Sequence, residues 1–496
     1  MSTNLTTKTV QGVGWTGASQ AMRLTLQLGI IAVIARFLTP EDFGLVAMVA
    51  VFTSFILIFR DFGLSAALIQ RKELHEEHLS SSFWINVMAG FLLSLAMAAL
   101  APAIALFYNE GRLVLITIFL GSTFFISSFS IVQSALFVKE MKFKSLAIVE
   151  ITALFISGIV AIVLAVAGFG VWSLVWQQIT MNFIMTVLIW ILSRWRPRFF
   201  FRWNRVQEFL GFGLNLTGFN FVNYFNRHLD NLLIGKFLGS IPLGFYNLAY
   251  RILLFPIVNI SWVIGRVMFP GLSAIQADKN RVKDVYIKAT RYIALISFPL
   301  MIGVLIVAPE FVRVVFGPQW ERSIFLIQIL ALVGFIQSVG TSVGWIYMSQ
   351  GRTNILFKWG IITLFVYTTS FILGLKWNVE GVAVAYAIAS LLLAYPNFAI
   401  PFRLINLRVG YFIQQFKSIA LAAICMGGIV LPLRYILKNI FELKNLFTLL
   451  LSFAVGTASY MVFLYLFERD VYRETLLLLK RIKPASSDAA YQGSSD

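Results

Sequence analysis

The chain is short of charge and of nearly every residue pattern that catalysis in water draws on. Only 12% of its 496 residues are charged, against roughly 25% in an ordinary soluble domain, which excludes a fully hydrated exterior. One cysteine, Cys425, stands in an apolar run, so an intrachain disulfide and any cysteine-based metal site are ruled out. No glycine-rich phosphate loop with its lysine occurs, and no credible Ser, His and Asp set, which removes ATP hydrolysis and triad chemistry. Acid is scarcer than base, 22 against 40, for a net charge of +18. In a soluble protein that excess would suggest nucleic acid. Here the basic residues fall mostly in short breaks between apolar segments, so they report topology, and nucleic acid is not expected as a partner.

What is abundant is apolar. Hydrophobic residues make up 59%, with 47 Phe beside 12 Trp and 16 Tyr, more bulk than one water-soluble core can hide. A helix needs roughly 20 apolar residues to cross the hydrocarbon. Fourteen such stretches are present, near 12–35, 43–69, 80–106, 113–137, 146–167, 170–193, 208–235, 242–269, 289–308, 323–349, 355–375, 379–401, 411–436 and 446–467. The expected fold class is all-α: a polytopic membrane protein with about 14 transmembrane helices. With a cytoplasmic N-terminus, the inner breaks and tail hold 26 basic residues and the outer breaks nine, which satisfies the positive-inside rule for an even helix number. Both termini are expected in the cytoplasm.

A repeat runs at an offset of 200 residues: Arg36, Phe37, Leu38 and Gly44 fall opposite Lys236, Phe237, Leu238 and Gly244. In the helices before those turns, Gln20, Arg23 and Gln27 fall opposite Asn220, Asn223 and Arg227. Two pseudo-symmetric six-helix lobes follow, since six helices per unit preserve orientation. The expected organisation is an N-lobe over 1–200, a C-lobe over 201–405, a further helix pair over 406–470 and a cytoplasmic tail over 471–496.

Five basic residues remain inside the expected helices: Arg23, Arg60, Arg227, Arg251 and Arg266, with Asp61 and Asp230 read as the accompanying acids. A charge at mid-bilayer costs at least about 2.5 kcal/mol, so such residues face the bundle interior, pair, or line a wet cavity. Asn220, Asn223, Arg227 and Asp230 recur at steps of three and four and share one helix face. Gln20, Arg23 and Gln27 repeat that stripe in the first helix, and Asn247 and Arg251 stand one turn apart in the eighth. Guanidinium groups grip phosphates in bidentate fashion, and amide side chains exchange hydrogen bonds with sugar hydroxyls. The candidate substrate-binding set is therefore Arg23, Gln27, Asn220, Asn223, Arg227, Asp230, Asn247, Arg251 and Arg266, with Arg60 and Asp61 as a candidate gate or coupling pair. The ligand they suit is an anionic, hydroxyl-rich headgroup.

Plainer readings compete for each. Arg227 and Asp230 can form a local ion pair that fixes packing, Arg266 can snorkel to the headgroups, and Arg60 and Asp61 sit where a surface pair would. His75, Glu76, Glu77 and His78 lack the helical spacing of a metal motif, so neither a metal nor a cofactor is expected. His228 is read as a packing residue, with a proton switch as the alternative. Phe199 to Phe201 beside Arg198 and Arg202 read as an interfacial belt, and the last two helices, without intramembrane charge, as lipid-facing.

Longer stretches carry a resemblance. Phe43-Gly44-Leu45, Asp61-Phe62-Gly63-Leu64 and Ile69-Gln70-Arg71-Lys72 follow in order, then Tyr246-Asn247-Leu248-Ala249-Tyr250, then Arg266-Val267-Met268-Phe269-Pro270 with Ile275-Gln276, then Val315-Phe316-Gly317-Pro318-Gln319-Trp320. These make the chain similar to the polysaccharide transporter branch of the multidrug, oligosaccharidyl-lipid and polysaccharide exporter superfamily. Within it, the chain most resembles the colanic acid exporter type of lipopolysaccharide biosynthesis protein. The resemblance implies a non-enzymatic flippase of the bacterial inner membrane that moves an undecaprenyl-diphosphate-linked oligosaccharide to the periplasmic face by alternating access. A polysaccharide polymerase and export machinery would be its partners, with the surrounding membrane lipids. Two alternatives remain. An ion-coupled drug exporter of the same superfamily would place carboxylates in the cavity; a membrane polymerase or ligase would need an ordered outer loop, and the outer breaks are short.

Overall fold

The computed structural model describes residues 20, 22–58, 65, 68–69, 75–200, 224 and 227–469, apart from the side chains of Trp262, Val263 and Arg266. Among them there are helices and turns and no strand. In hydrocarbon every backbone N–H and C=O has to be bonded within its own segment, and an apolar run meets that demand by coiling. Ten stretches are long and apolar enough to cross a bilayer, and the pair Leu113–Ser128 and Ile131–Lys139, bent by 48°, makes an eleventh if it is one span. One of the ten, Thr353–Ile405, holds two helices, Thr353–Gly374 and Asn378–Phe402. A turn at Leu375–Trp377 separates them, closed by Asn378 at φ 62°. They fold back on one another, because Tyr386 meets both Tyr367 and Phe371, at ring-centroid distances of 5.1 and 5.5 Å. The expected span at 208–235 falls largely outside the described residues, while that at 12–35 is described at Gln20 and from residue 22 onward.

The described chain condenses into two compact units. The first takes the residues up to Ala249 with Val315–Leu326 and Phe357–Tyr386; the second takes Tyr250–Val314, Ile327–Leu356 and the residues from Ala387.

In the first unit, small residues set how closely helices approach. Between lipid-soluble helices there is no hydrophobic drive, and close packing takes its place. Helix Glu76–Tyr108 runs back along Leu113–Ser128, where Gly90 lies against Ser128 and Gly121 against Met97, too close in both places for a Cβ. Helix Pro40–Leu57 starts from a full capping box: Thr39 N–H donates to Asp42 Oδ2 (2.9 Å), and Asp42 N–H donates to Thr39 Oγ1 (3.3 Å). Its Gly44 lies on the backbone of Ser240, while Gly244 lies on the backbone of Pro40, and a Cβ on either glycine would run into the facing carbonyl. The two glycines matched by the sequence repeat thus stand at a reciprocal helix crossing.

Trp320, fully buried, closes the same region. Its ring meets Phe43 edge-on at 5.1 Å and Phe245 at 6.1 Å. Its Nε1–H donates to the Ala35 carbonyl (2.8 Å), as does Gln319 Nε2 (2.7 Å). Ala35 lies in the last turn of the 22–37 helix, where carbonyls lack intrahelical partners, so Gln319 and Trp320 act as a tertiary cap.

The second unit is built on the 37-residue helix Lys279–Val315. Tyr286 on it is fully buried, shares a hydrogen bond with Ser342 Oγ (2.8 Å) and stacks on Phe412. Phe298 stacks on Phe335 at 3.9 Å. Helix Ser240–Pro256 passes through a π-turn at Ile257–Ser261 into Trp262–Ala274. Pro256 has no N–H to give and crowds the preceding turn, which accounts for the wider coil beginning there. The C-terminal helices Lys417–Asn439 and Asn445–Phe467 pack together with Gly456 against Val430.

Candidate functional site

Arg23 and Gln27 stand one turn apart on the 22–37 helix, Gln27 exposed and Arg23 half-buried. The Arg23 guanidinium does not stand alone: Nη1 donates to Glu150 Oε2 (3.0 Å) and Nη2 to Gln20 Oε1. Glu150 comes from helix Phe143–Val166, and the pair is little more than one-third exposed on either side. This corrects the acid count read from the sequence, which omits Glu150 although it stands inside the expected 146–167 span. A carboxylate within an apolar run costs as much as the arginines do, and that was the available signal.

The 227–238 helix treats Arg227 and Asp230 differently. Arg227 is exposed; Asp230 is only 3% exposed. The Tyr246 hydroxyl donates to Asp230 Oδ2 (3.0 Å), and the Asn231 N–H donates to Oδ1 (2.7 Å). Tyr246 belongs to helix Ser240–Pro256, so this carboxylate ties two consecutive helices. His228 is half-buried and stacks on Tyr224 at 4.7 Å, whose hydroxyl donates to the Val51 carbonyl. Asn247 is half-buried beside Tyr246, in the first unit. Arg251, one turn further along, is exposed and belongs to the second unit, five residues ahead of Pro256. Asn220, Asn223, Arg60, Asp61 and the Arg266 side chain lie outside the described residues. The structure therefore brings together Gln20, Arg23 and Glu150 in one place, and Asp230 with Tyr246 in another.

A second acid escapes the sequence reading, and this one is buried. Glu310 is completely buried; Arg434 Nε donates to its Oε2 (2.7 Å), and Lys438 Nζ lies 3.7 Å from Oε1. Two expectations are corrected here. Helix Lys279–Val315 continues through Pro309, beyond the expected end at 308, and helix Lys417–Asn439 carries Arg434 and Lys438, read from the sequence as an outer break. The C-terminal pair thus holds charge within its helices, directed at the protein and not at lipid.

His75 and His78 turn out to begin a helix. His78 Nδ1 accepts from the His75 N–H (3.2 Å), while Glu76 accepts from Trp195 Nε1 (2.9 Å) and the Ser80 hydroxyl (3.2 Å). Phe199 is 92% exposed and leans on Trp84 (5.1 Å), whose Nε1–H donates to the Arg198 carbonyl (2.9 Å), an arrangement suited to the headgroup level.

A family model described as "Polysaccharide biosynthesis protein" matches residues 33–325. The teichuronic acid biosynthesis protein TuaB of Bacillus subtilis is 29% identical over 473 residues, covering 93% of this chain and 96% of its own. The lipopolysaccharide biosynthesis protein WzxC of Escherichia coli is 29% identical over 377 residues, 75% of this chain and 76% of its own. The succinoglycan biosynthesis transport protein ExoT of Rhizobium meliloti is 25% identical, covering 99% of both. Among solved structures, the lipid II flippase MurJ in an inward closed conformation shares the fold with a TM-score of 0.72 at 16% identity, covering 93% of this chain and 99% of its own. An inward-facing multidrug resistance MATE family transporter of the MOP superfamily follows at 0.64 and 15%, covering 78% of this chain and 98% of its own.

Proposed function

The chain belongs to the polysaccharide biosynthesis protein family, and from that premise we propose that it is a flippase, carrying an undecaprenyl-diphosphate-linked oligosaccharide from the cytoplasmic to the periplasmic face of the inner membrane. The observation that carries the reading is the accessibility of Arg251 on the membrane-spanning stretch Ser240–Ser261, with Arg227 exposed and Arg23 half-exposed on helices that precede it. A charge in contact with hydrocarbon is too costly to keep, so accessible arginines on such helices imply a water-lined path. A diphosphate suits guanidinium forks, and the sugar suits Gln27 and Asn247, with Asn220, Asn223 and Arg266 completing the set.

The headgroup enters the cationic path while the prenyl tail stays in lipid, and opening one side as the other closes carries only the polar part across. At Arg23 the incoming phosphate meets a guanidinium already held by Glu150, so binding there exchanges one anion for another. The same pair makes a drug-exporter reading weaker, because the carboxylate is matched by its own cation and offers no net negative charge to a cationic drug. Fourteen helices in two lobes over 1–200 and 201–405, a helix pair over 406–470, a cytoplasmic tail over 471–496 and both termini inside complete the proposal, with a polysaccharide polymerase downstream. The role is transport, with bond-making left to that partner.

The test is deletion of the gene followed by mass spectrometry of membrane lipids. Accumulation of an undecaprenyl-diphosphate oligosaccharide with loss of the surface polymer is expected. Complementation with Arg227→Ala should fail and with Arg227→Lys should succeed in part, since lysine keeps the charge and loses the fork. Unchanged lipids together with new sensitivity to cationic drugs would overturn the reading in favour of drug export.

A further inference from the structure

A cationic hollow lies wholly within the second unit, and none of the arginines discussed above is in its lining. Helix Lys279–Val315 opens with three charged turns bearing Lys279, Arg281, Lys283, Asp284, Lys288 and Arg291. From Tyr292 to Pro309 it then carries no charge. That change of character sets Lys288 and Arg291 at the bilayer surface, on the cytoplasmic side in the topology proposed above. Helix Asn445–Phe467 ends at the same level and is followed by Glu468 and Arg469. Two bonds hold these elements together: the Tyr460 hydroxyl donates to the Leu295 carbonyl (2.9 Å), and Arg291 Nη2 donates to Glu468.

Between them, with the short helix Val409–Gln414 as a third wall, is a cavity of about 630 Å³. Its polar lining includes Lys288, Arg291, Arg469, Tyr292, Tyr411 and Gln415, and its acids are Asp284 and Glu468. Three cations against two carboxylates leave the hollow positive, and Glu468 is already engaged by Arg291. The Arg291 Nε–H is buried with no acceptor, the kind of donor that a phosphate oxygen satisfies. Arg469 lies over the Tyr465 ring at 5.3 Å, which holds its guanidinium near the rim. Ile287 and Phe467 add apolar wall of the kind the first carbons of a lipid chain pack against.

Basic hollows between helices at the cytoplasmic membrane surface hold anionic lipid headgroups. We propose that this cavity binds the phosphate of a cytoplasmic-leaflet lipid, beside the C-terminal helix pair, with residues that are not in the candidate transport set. Two lipids present that chemistry, the polyprenyl diphosphate that carries the glycan and an anionic phospholipid. The inference rests on the proposed topology for its side of the membrane. It does not need the transport reading.

The test is titration of the purified full-length Arg227→Ala protein in nanodiscs with undecaprenyl diphosphate, cardiolipin and neutral diacylglycerol at low salt, each variant being compared with that parent so that residual binding at Arg23, Arg251 or Arg266 cancels. Adding Lys288→Gln and Arg469→Gln together should weaken phosphate-lipid binding about thirtyfold, with diacylglycerol unaffected. Loss for undecaprenyl diphosphate alone assigns the site to the carrier of the glycan; loss for both lipids assigns it to anionic headgroups in general. Arg291→Lys, which keeps the pairing charge for Glu468 and removes Nε, should give a smaller loss in a protein that still folds. Unaltered binding of both phosphate lipids in both variants would overturn the proposal. Failure of the gene-deletion experiment alone would remove the transport reading and leave this site standing.

Discussion

Asp230 in the first unit and Glu310 in the second are carboxylates buried in membrane helices, and the chain satisfies them by opposite means. Asp230 is met by neutral donors, the Tyr246 hydroxyl and the Asn231 N–H. Glu310 is met by two cations one turn apart, Arg434 and Lys438. A buried acid with cations of its own is a fastening: parting the charges would leave each unpaired in a poor solvent, so Glu310 binds the C-terminal helix pair to the Lys279–Val315 helix. A buried acid among neutral donors spends nothing on long-range attraction. It holds two consecutive helices by hydrogen bonds that a neutral isostere could keep.

The difference predicts unequal damage. Glu310→Ala should cost about 3 kcal/mol, the low end for breaking a buried pair, because Arg434 and Lys438 are partly exposed and keep some hydration. Their side chains are 22% and 34% exposed. A drop in the thermal midpoint of the purified protein checks this, and Arg434→Leu added to Glu310→Ala should recover part of it by removing an uncompensated charge. An unchanged midpoint would mean that the cluster fastens nothing. Tyr246→Phe comes next, at about 1–3 kcal/mol, since it strips one donor from a buried carboxylate. Asp230→Asn should cost less than Tyr246→Phe, and in the Asn background the Tyr246→Phe penalty should shrink. If Asp230→Asn proved as damaging as Glu310→Ala, the contrast between the two sites would collapse.

Local pattern carried much of the fold. Val171–Leu192 and Asn445–Phe467 lie within a residue of the spans read from the sequence, because a clean apolar run between polar breaks has one solution in lipid. Lys279–Val315 begins ten residues ahead of the expected span, since its first turns are charged and a helix at the surface need not be apolar. The bend between Ser128 and Ile131 left no proline or glycine to announce it. At the candidate site the arginines were legible as charges inside apolar runs. Their partners were not: Arg23 and Glu150 are 127 residues apart, and the register between distant helices is written in tertiary packing. The repeat was visible in Gly44 and Gly244, but only the crossing shows why neither position can hold a Cβ.

A third carboxylate sets the scale at which the comparison fades. Glu110, in the turn between Glu76–Tyr108 and Leu113–Ser128, is joined to Arg112 (2.8 Å), which also reaches Glu41. The Arg112 hydrogen bond holds the Glu110 carboxyl below its ordinary range, against a smaller opposing push from burial. A depressed folded-state pKa stabilises the fold above the unfolded pKa of about 4.3 and loses that contribution as pH falls through the lower folded value. Arg112 is 53% exposed, so water and salt screen the pair and its worth stays below about 1 kcal/mol. Glu110→Gln should therefore lower the midpoint slightly at pH 7, and the gap from wild type should close on acidification and in high salt. A gap that widened on acidification would reverse the sign of the argument. A gap at pH 7 as large as that of Glu310→Ala would mean that burial is not what separates these carboxylates.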